Sequence, residues 1–302
     1  MSKTLFISLA LFTLIQSSSA QGDTAVNKPR LWFVAGANAA LYAGSYVALN
    51  KAWYADYDKS KFHFFNDNAE WNQVDKAGHL WTTYHVSRLS AEMWEWTGLN
   101  RRQSAWLGGA SGMLYQSIIE MQDAYSSKWG FSWGDVGANV AGAGLFVLQE
   151  LTAGSQPVQV KLSYYPYDYA DGLQGRRDEL FGSSLPERLL KDYNSQVYWL
   201  SGNLSAFFPD AHLPKWLNIA VGYGAEGMYG GRENYWVDEE GTAHDYRDIK
   251  RIRKFYLSPD VDLTKIPVRS KFLRSVFFVL NAVKIPAPAA ELKDGKIGFT
   301  IK

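Results

Sequence analysis

Residues 31–50 run from Leu31 to Asn50 without a charged side chain. Gly36, Ala40, Gly44 and Ala48 recur every fourth position there, which gives a helix one smooth stripe for close approach by another backbone. Twenty uncharged positions are long enough to cross a bilayer as a helix. The same pattern suits a buried helix, and Asn38 and Ser45 are polar interruptions, so both placements stay open. Three further helices follow from the spacing. One runs from Val74 to Trp96 and stops at Gly98. The next spans about Arg102–Ala124, with Gly108 and Gly112 four apart. The last spans about Asp135–Leu151, with Gly134, Ala138 and Gly142 at the same interval.

After Thr152-Ala153-Gly154 the period changes from four to two. Val158, Val160, Leu162 and Tyr164 alternate with Gln159, Lys161 and Ser163, the pattern of a half-buried strand. Similar runs occur at 196–200, 216–223, 251–263 and 296–302, while 274–285 suits strand or helix. Asp171-Gly172, Pro209-Asp210, Gly230-Gly231, Glu240-Gly241 and Asp294-Gly295 supply turns between them. The expected class is therefore α+β: a bundle of about four helices over 31–153, then a β-rich antiparallel region over 154–302 packed on that bundle. Lys161, Arg251, Arg253 and Lys254 interrupt faces that a lipid-exposed barrel would keep apolar. The expectation is an open or partly closed sheet with its apolar face buried, and a fragment 154–302 that aggregates when expressed alone.

Residues 1–20 read as a secretory signal peptide: Lys3, an apolar run from Leu5 to Ile15, then Ser18-Ser19-Ala20 before Gln21. Residues 21–30 form a linker. Removal of the signal takes away one lysine, so 31 basic residues become 30 against 30 acids. A neutral mature chain offers no global attraction for nucleic acid or an anionic surface. With no cysteine, disulfides, thiolate metal sites and a lipobox anchor are not expected. Aromatics make up 15% of the chain, with 12 Trp and 18 Tyr. Those two residue types suit a boundary between apolar and wet surroundings.

Six polar residues stand out on otherwise apolar helices: Asp75, His79, Glu120, Asp123, Asp135 and Asn139. Asp75 and His79 are four apart and share a face, as do Asp135 and Asn139, and Glu120 and Asp123 are three apart. A carboxylate can orient an imidazole, or these donors can surround one cation; with a single placed histidine and no cysteine the metal reading is the weaker. Capping accounts for part of the set. Asn72 to Asp75 and Ser132 to Asp135 both fit a cap followed by an acid in the first turn. It does not account for Glu120 and Asp123 near a helix C-terminus, nor for His79 and Asn139. His63, His85, His212 and His244 have no spaced partner. Gly222-Tyr-Gly224-Ala-Glu-Gly227 has dinucleotide spacing but ends a strand with no helix after it, so it reads as a turn. No cofactor is indicated.

At Trp53-Tyr54-Ala55-Asp56-Tyr57, Phe62-His63-Phe64-Phe65-Asn66-Asp67, Asp75-Lys76-Ala77-Gly78-His79 and Trp129 to Gly142, the chain resembles the YfiM-like predicted periplasmic lipoproteins, a family of unknown function. In helix pattern it is also similar to VanZ-like membrane proteins, through Asp75, Lys76, His79, Glu120, Gln122, Asp135, Asn139 and Gly142. The likeness covers about residues 53–150. It departs in lacking a lipobox cysteine and in its Glu–Gln spacing, and it implies no mechanism.

The leading expectation is an exported cell-envelope protein of periplasm or outer membrane, membrane-associated and non-enzymatic, with the polar cluster as an internal network. Its expected partner is membrane lipid or another envelope component, not nucleic acid. The alternative is an enzyme acting on a lipid or cell-wall intermediate, with His79 as general acid/base and Asp75, Glu120, Asp123 and Asp135 as its partners. A third is a ligand binder using the aromatic segment 53–73.

Overall fold

The structure is a computed structural model that describes residues 25–54 and 57–302. The signal-peptide segment lies outside the described residues. The fold is α+β, with helices in the N-terminal half and an antiparallel sheet in the C-terminal region. The chain forms two compact units. The first comprises residues up to 65, 79–157 and 262–282, and the second 66–78, 158–261 and 283–302.

The first unit is helical. Helix α1 (Lys28–Leu49) starts at Asn27, whose side chain accepts from the Arg30 amide at 3.0 Å, and runs on into a π-helical turn, Asn50–Tyr54. Helix α2 (Val74–Trp96) contributes residues 79–96 and ends at Gly98, which has φ +92°. Helix α3 (Arg101–Ala124) opens with a reciprocal capping box between Asn100 and Gln103. Helix α4 (Trp133–Thr152) is capped by Ser132. No helix among the described residues is long and apolar enough to cross a membrane.

Small residues bring α2, α3 and α4 together. A Cβ on Gly112 would lie 2.2 Å from Ser87 Oγ, and one on Gly142 would lie 2.4 Å from the Leu80 carbonyl. Both approaches are closer than any side chain tolerates, so the four-residue spacing marks real backbone contact. Val34 and Met93 anchor a small core between α1 and α2, joined by Leu89, Trp94 and Trp96.

In the second unit six strands pair antiparallel in the order β1-β2-β3-β6-β7-β8. They are β1 (Val158–Tyr164), β2 (Gln196–Asn203), β3 (Leu217–Glu226), β6 (Ile252–Val261), β7 (Pro288–Lys293) and β8 (Lys296–Ile301). A separate hairpin, β4 (Tyr235–Val237) with β5 (Ala243–Asp245), is inserted between β3 and β6. Helices α5 (Gln174–Phe181) and α6 (Leu185–Lys191) separate β1 from β2. In the first unit, the ambiguous stretch 274–285 resolves mainly as a helix, Lys271–Leu280, because Ser270 caps it and its apolar residues follow a helical period.

The sheet overturns the expected polarity. Its outward face carries Leu200, Val221, Phe255, Leu257, Leu292 and Phe299, all exposed. The buried face carries Gln159, Lys161, Ser163, Ser201, Asn218, Lys254, Ser258 and Asp260, around the rings of Trp199 and Tyr256. Lys161 and Asp260 pair at 2.8 Å with both side chains 0% exposed. Asp260 also accepts from Ser201 Oγ at 2.6 Å, and Asn218 donates to that hydroxyl at 2.8 Å. Alternation shows that two faces differ, but not which of them is inside. Here bonded polar groups and two large rings fill the interior. Lys161 and Lys254 therefore do not interrupt the apolar face, because they lie on the other one. The dinucleotide-like glycines belong to this sheet: Gly222 sits under the Trp199 ring, and Gly227 closes β3 with φ +75°.

Candidate functional site

The helical unit places His79 of α2 among residues from α3 and α4. Its Nδ1 is 3.2 Å from Asn139 Oδ1 and 3.0 Å from Gln116 Nε2. Glu120 Oε1 lies 3.6 Å from Nδ1, and Asp135 Oδ1 lies 3.6 Å from Nε2. The imidazole is thus bracketed by two carboxylates, one at each ring nitrogen. At 3.6 Å neither carboxylate makes a close hydrogen bond to the ring. His79, Glu120 and Asp135 each offer a ligand atom, and these atoms lie within 4.8 Å of one another. They therefore include the donor types that suit a borderline divalent cation.

Asn139 ties the cluster together. Its Oδ1 accepts from Thr83 Oγ1 and from Gln116 Nε2, both at 2.9 Å, so one carboxamide joins α2, α3 and α4. Thr83 is fully buried, Asn139 is 1% exposed and Gln116 2%. Glu120, near the C-terminal end of α3, owes its position to the next helix. Its Oε2 accepts the Ser132 amide at 3.4 Å, so the carboxylate meets the positive end of α4. Ser132 Oγ in turn accepts from the Asp135 amide at 3.1 Å, the cap expected from the spacing.

The other predicted residues are placed differently. Asp123 accepts from the Tyr54 hydroxyl at 2.7 Å. Tyr54 borders a cleft of about 780 Å³ whose lining includes Tyr46, Leu114, Ile118, Met121 and Tyr125. Asp75, one turn before His79 on α2, is buried and accepts from Lys76 at 3.0 Å, and Lys76 also pairs with Asp67 at 2.7 Å. The expected Asn72 cap is absent. Trp71, Asn72 and Gln73 all have left-handed backbone, with φ 48°, 49° and 63°, whereas a capping residue is extended.

Gln116 and Thr83 belong to the site but were not picked from the sequence. The signal was present: Gln116 is four before Glu120 and Thr83 four after His79, on the same helix faces. A second polar group lies further along α2. Burial holds the Glu92 carboxyl above the usual range and pushes Glu95 up to about 7, with Glu92 and Glu150 adding repulsion at Glu95. Arg101 Nε pairs with Glu150 at 2.8 Å.

Residues 63–151, which contain all six candidate residues, match the model of a family described as predicted periplasmic lipoprotein (DUF2279). The match accords with export to the cell envelope or periplasm. No curated protein and no solved structure matches the chain. What is supported is an exported envelope protein whose matched segment carries the His79 cluster.

Proposed function

We propose that this chain is a membrane-associated, non-enzymatic envelope protein in which the His79 cluster fixes three helices in register. The observation that carries the reading is the Asn139 carboxamide, bonded at once to Thr83 of α2 and Gln116 of α3. A buried network of this kind is costly when partly satisfied and rigid when satisfied. The finer likeness to the YfiM-like and VanZ-like families, suggested by residues 75–142, supports the same reading. Membrane association is supported by large side chains that stay in solvent, among them Trp32 at 73% and Trp133 at 68% exposed. Exposed aromatic and aliphatic groups in such number mark an interaction surface.

The test pairs stability with flotation. Asn139→Ala leaves Gln116 and Thr83 without their shared acceptor, at a cost of about 2–3 kcal/mol. A thermal melt unchanged by that substitution refutes the structural role. The full chain should rise with vesicles of phosphatidylethanolamine and phosphatidylglycerol in a density gradient; recovery only at the bottom refutes membrane association.

One observation favours a second reading. His79 keeps 19% of its side chain accessible between two acids, which suits a general acid/base acting on a lipid or cell-wall intermediate. Turnover of such intermediates by the purified chain, abolished in His79→Gln while the fold persists, is the result that selects it.

A further inference from the structure

The geometry points to the outward face of the six-stranded sheet as the surface that meets lipid, with acyl chains against its centre and anionic headgroups at its cationic end. This rests on the membrane association proposed above and names the surface responsible.

Three observations on the second unit lead there. The first is the inversion of polarity. Registered neighbours Leu200, Val221 and Leu257 cross three strands on one exposed row, and Phe255, Leu292 and Ile297 form the next. Ile297 is 78% and Phe299 88% exposed. The opposite face holds an ion pair sealed from solvent. A sheet in water minimises its free energy by hiding the apolar face and wetting the polar one. Apolar-out with polar-in is the arrangement of strands whose surroundings are hydrocarbon.

The second is charge. Lys250, Arg251, Arg253, Lys293 and Lys296 gather at one end of β6, β7 and β8. Asp294 faces Lys250 at 3.4 Å, and Glu226 takes Lys254 and Lys293 at 2.7 and 2.5 Å. Arg251 is half-buried and faces Glu70 and Glu233, so the other four cations against Asp294 and Glu226 leave that rim positive, complementary to phosphatidylglycerol headgroups. The acid-bound Lys254 lies on the buried face. The opposite end of β2 and β3 carries exposed Phe207, Phe208 and Trp216, residue types suited to an interface.

The third is length. β3 and β6 have 10 residues each, within the range of about 9–11 for a strand that matches hydrocarbon thickness. The sheet of described residues has six strands, fewer than the eight or so of a closed barrel, so the face is seated against lipid and does not enclose a pore.

The absence of cysteine makes the test direct. Single substitutions Val221→Cys, Leu257→Cys and Phe299→Cys, with Glu240→Cys in the exposed β4–β5 turn as reference, are labelled with an environment-sensitive fluorophore. Each full-length variant is mixed with vesicles of phosphatidylethanolamine and phosphatidylglycerol, with or without acyl-chain nitroxide lipid. Because the substituted positions are exposed, near-UV circular dichroism should match the parent chain.

Emission at 221, 257 and 299 should shift to the blue and fall at least twofold with nitroxide lipid, while 240 stays unchanged. Binding should weaken about tenfold for Arg253→Glu/Lys296→Glu, and likewise for the parent chain on phosphatidylcholine vesicles. If the variants float yet 221, 257 and 299 stay aqueous, membrane association stands and this surface is wrong. If nothing floats, the reading beneath it fails and takes this one with it. A blue shift without vesicles that grows with protein concentration shows that a second copy covers the face, and overturns the lipid assignment.

Discussion

Replacing Lys161 by methionine removes one half of an ion pair that has no access to water. In the folded chain its ammonium lies 2.8 Å from Asp260 Oδ2 and donates to the Val261 carbonyl at 2.7 Å. Methionine fills nearly the same volume, so no cavity complicates the reading. What remains is a buried carboxylate that accepts from Ser201 Oγ, with Lys284 acting on it through its charge. Breaking a buried pair costs about 3–5 kcal/mol, and the retained Ser201 bond and Lys284 charge place Lys161→Met near the lower end, about 3 kcal/mol. Asp260→Asn keeps the Ser201 bond and strands the lysine at a similar cost. The double substitution should also cost about 3 kcal/mol rather than the additive total of about 6, a coupling of about 3 kcal/mol. Hydrogen exchange of peptides from β1, β2 and β3 reads the opening free energy of this unit separately from the helices. A single substitution within about 0.5 kcal/mol of the parent, or a fully additive double, refutes the argument that the sheet seals an ion pair inside.

Three more outcomes follow from other parts of the molecule. Gly142→Ala puts a methyl into the Leu80 carbonyl and should cost about 1–3 kcal/mol by overpacking; Gly137→Ala, with open space at its Cβ, should cost nothing in the same thermal melts. Glu95 has its carboxyl held at about 7 in the fold, first by burial and then by Glu92 and Glu150. The folded state therefore binds more protons than the unfolded one between about 4.5 and 7, so stability falls as pH rises through that window. Discounted for the partial exposure of this group, the loss is about 1–2 kcal/mol. Glu95→Gln should reduce the decline seen in melting temperature against pH, leaving the part that Glu92 contributes. Tyr54→Phe removes the bond to Asp123 at about 1 kcal/mol and should leave the His79 cluster intact, as judged by an unchanged imidazole NMR signal.

Much of the helical unit was legible because its signal is local. Four-residue spacing of small residues and the Gly98 stop placed α2, α3 and α4 within two residues of their observed ends. The site was half legible for the same reason: His79, Glu120, Asp135 and Asn139 are rare polar residues on apolar helices. Gln116 and Thr83 looked like ordinary helix polar residues until packing sealed them. The role of Glu120 depended on a contact with another helix's first amide, which no single-helix pattern contains. In the sheet, alternation gave the strands but not the side that faces in. That choice is made by partners far apart in sequence, such as Lys161 with Asp260 and Ser163 with Trp199. The left-handed run at Trp71–Gln73 was invisible because none of its three residues is glycine.

The strand order has a kinetic consequence. Apart from the inserted β4–β5 hairpin, every strand pairs with its sequence neighbour, so the sheet can be laid down one strand at a time with no threading step. The closures are unequal in cost. β7 and β8 join through Asp294-Gly295 alone, both with positive φ, whereas β1 and β2 are separated by residues 165–195. Loop-closure entropy makes the second connection about 2 kcal/mol harder to close as a flexible chain. The β7–β8 hairpin is therefore the natural nucleus of the sheet. The sheet then grows from that hairpin back toward β1, whose pairing closes the longest connection and comes last.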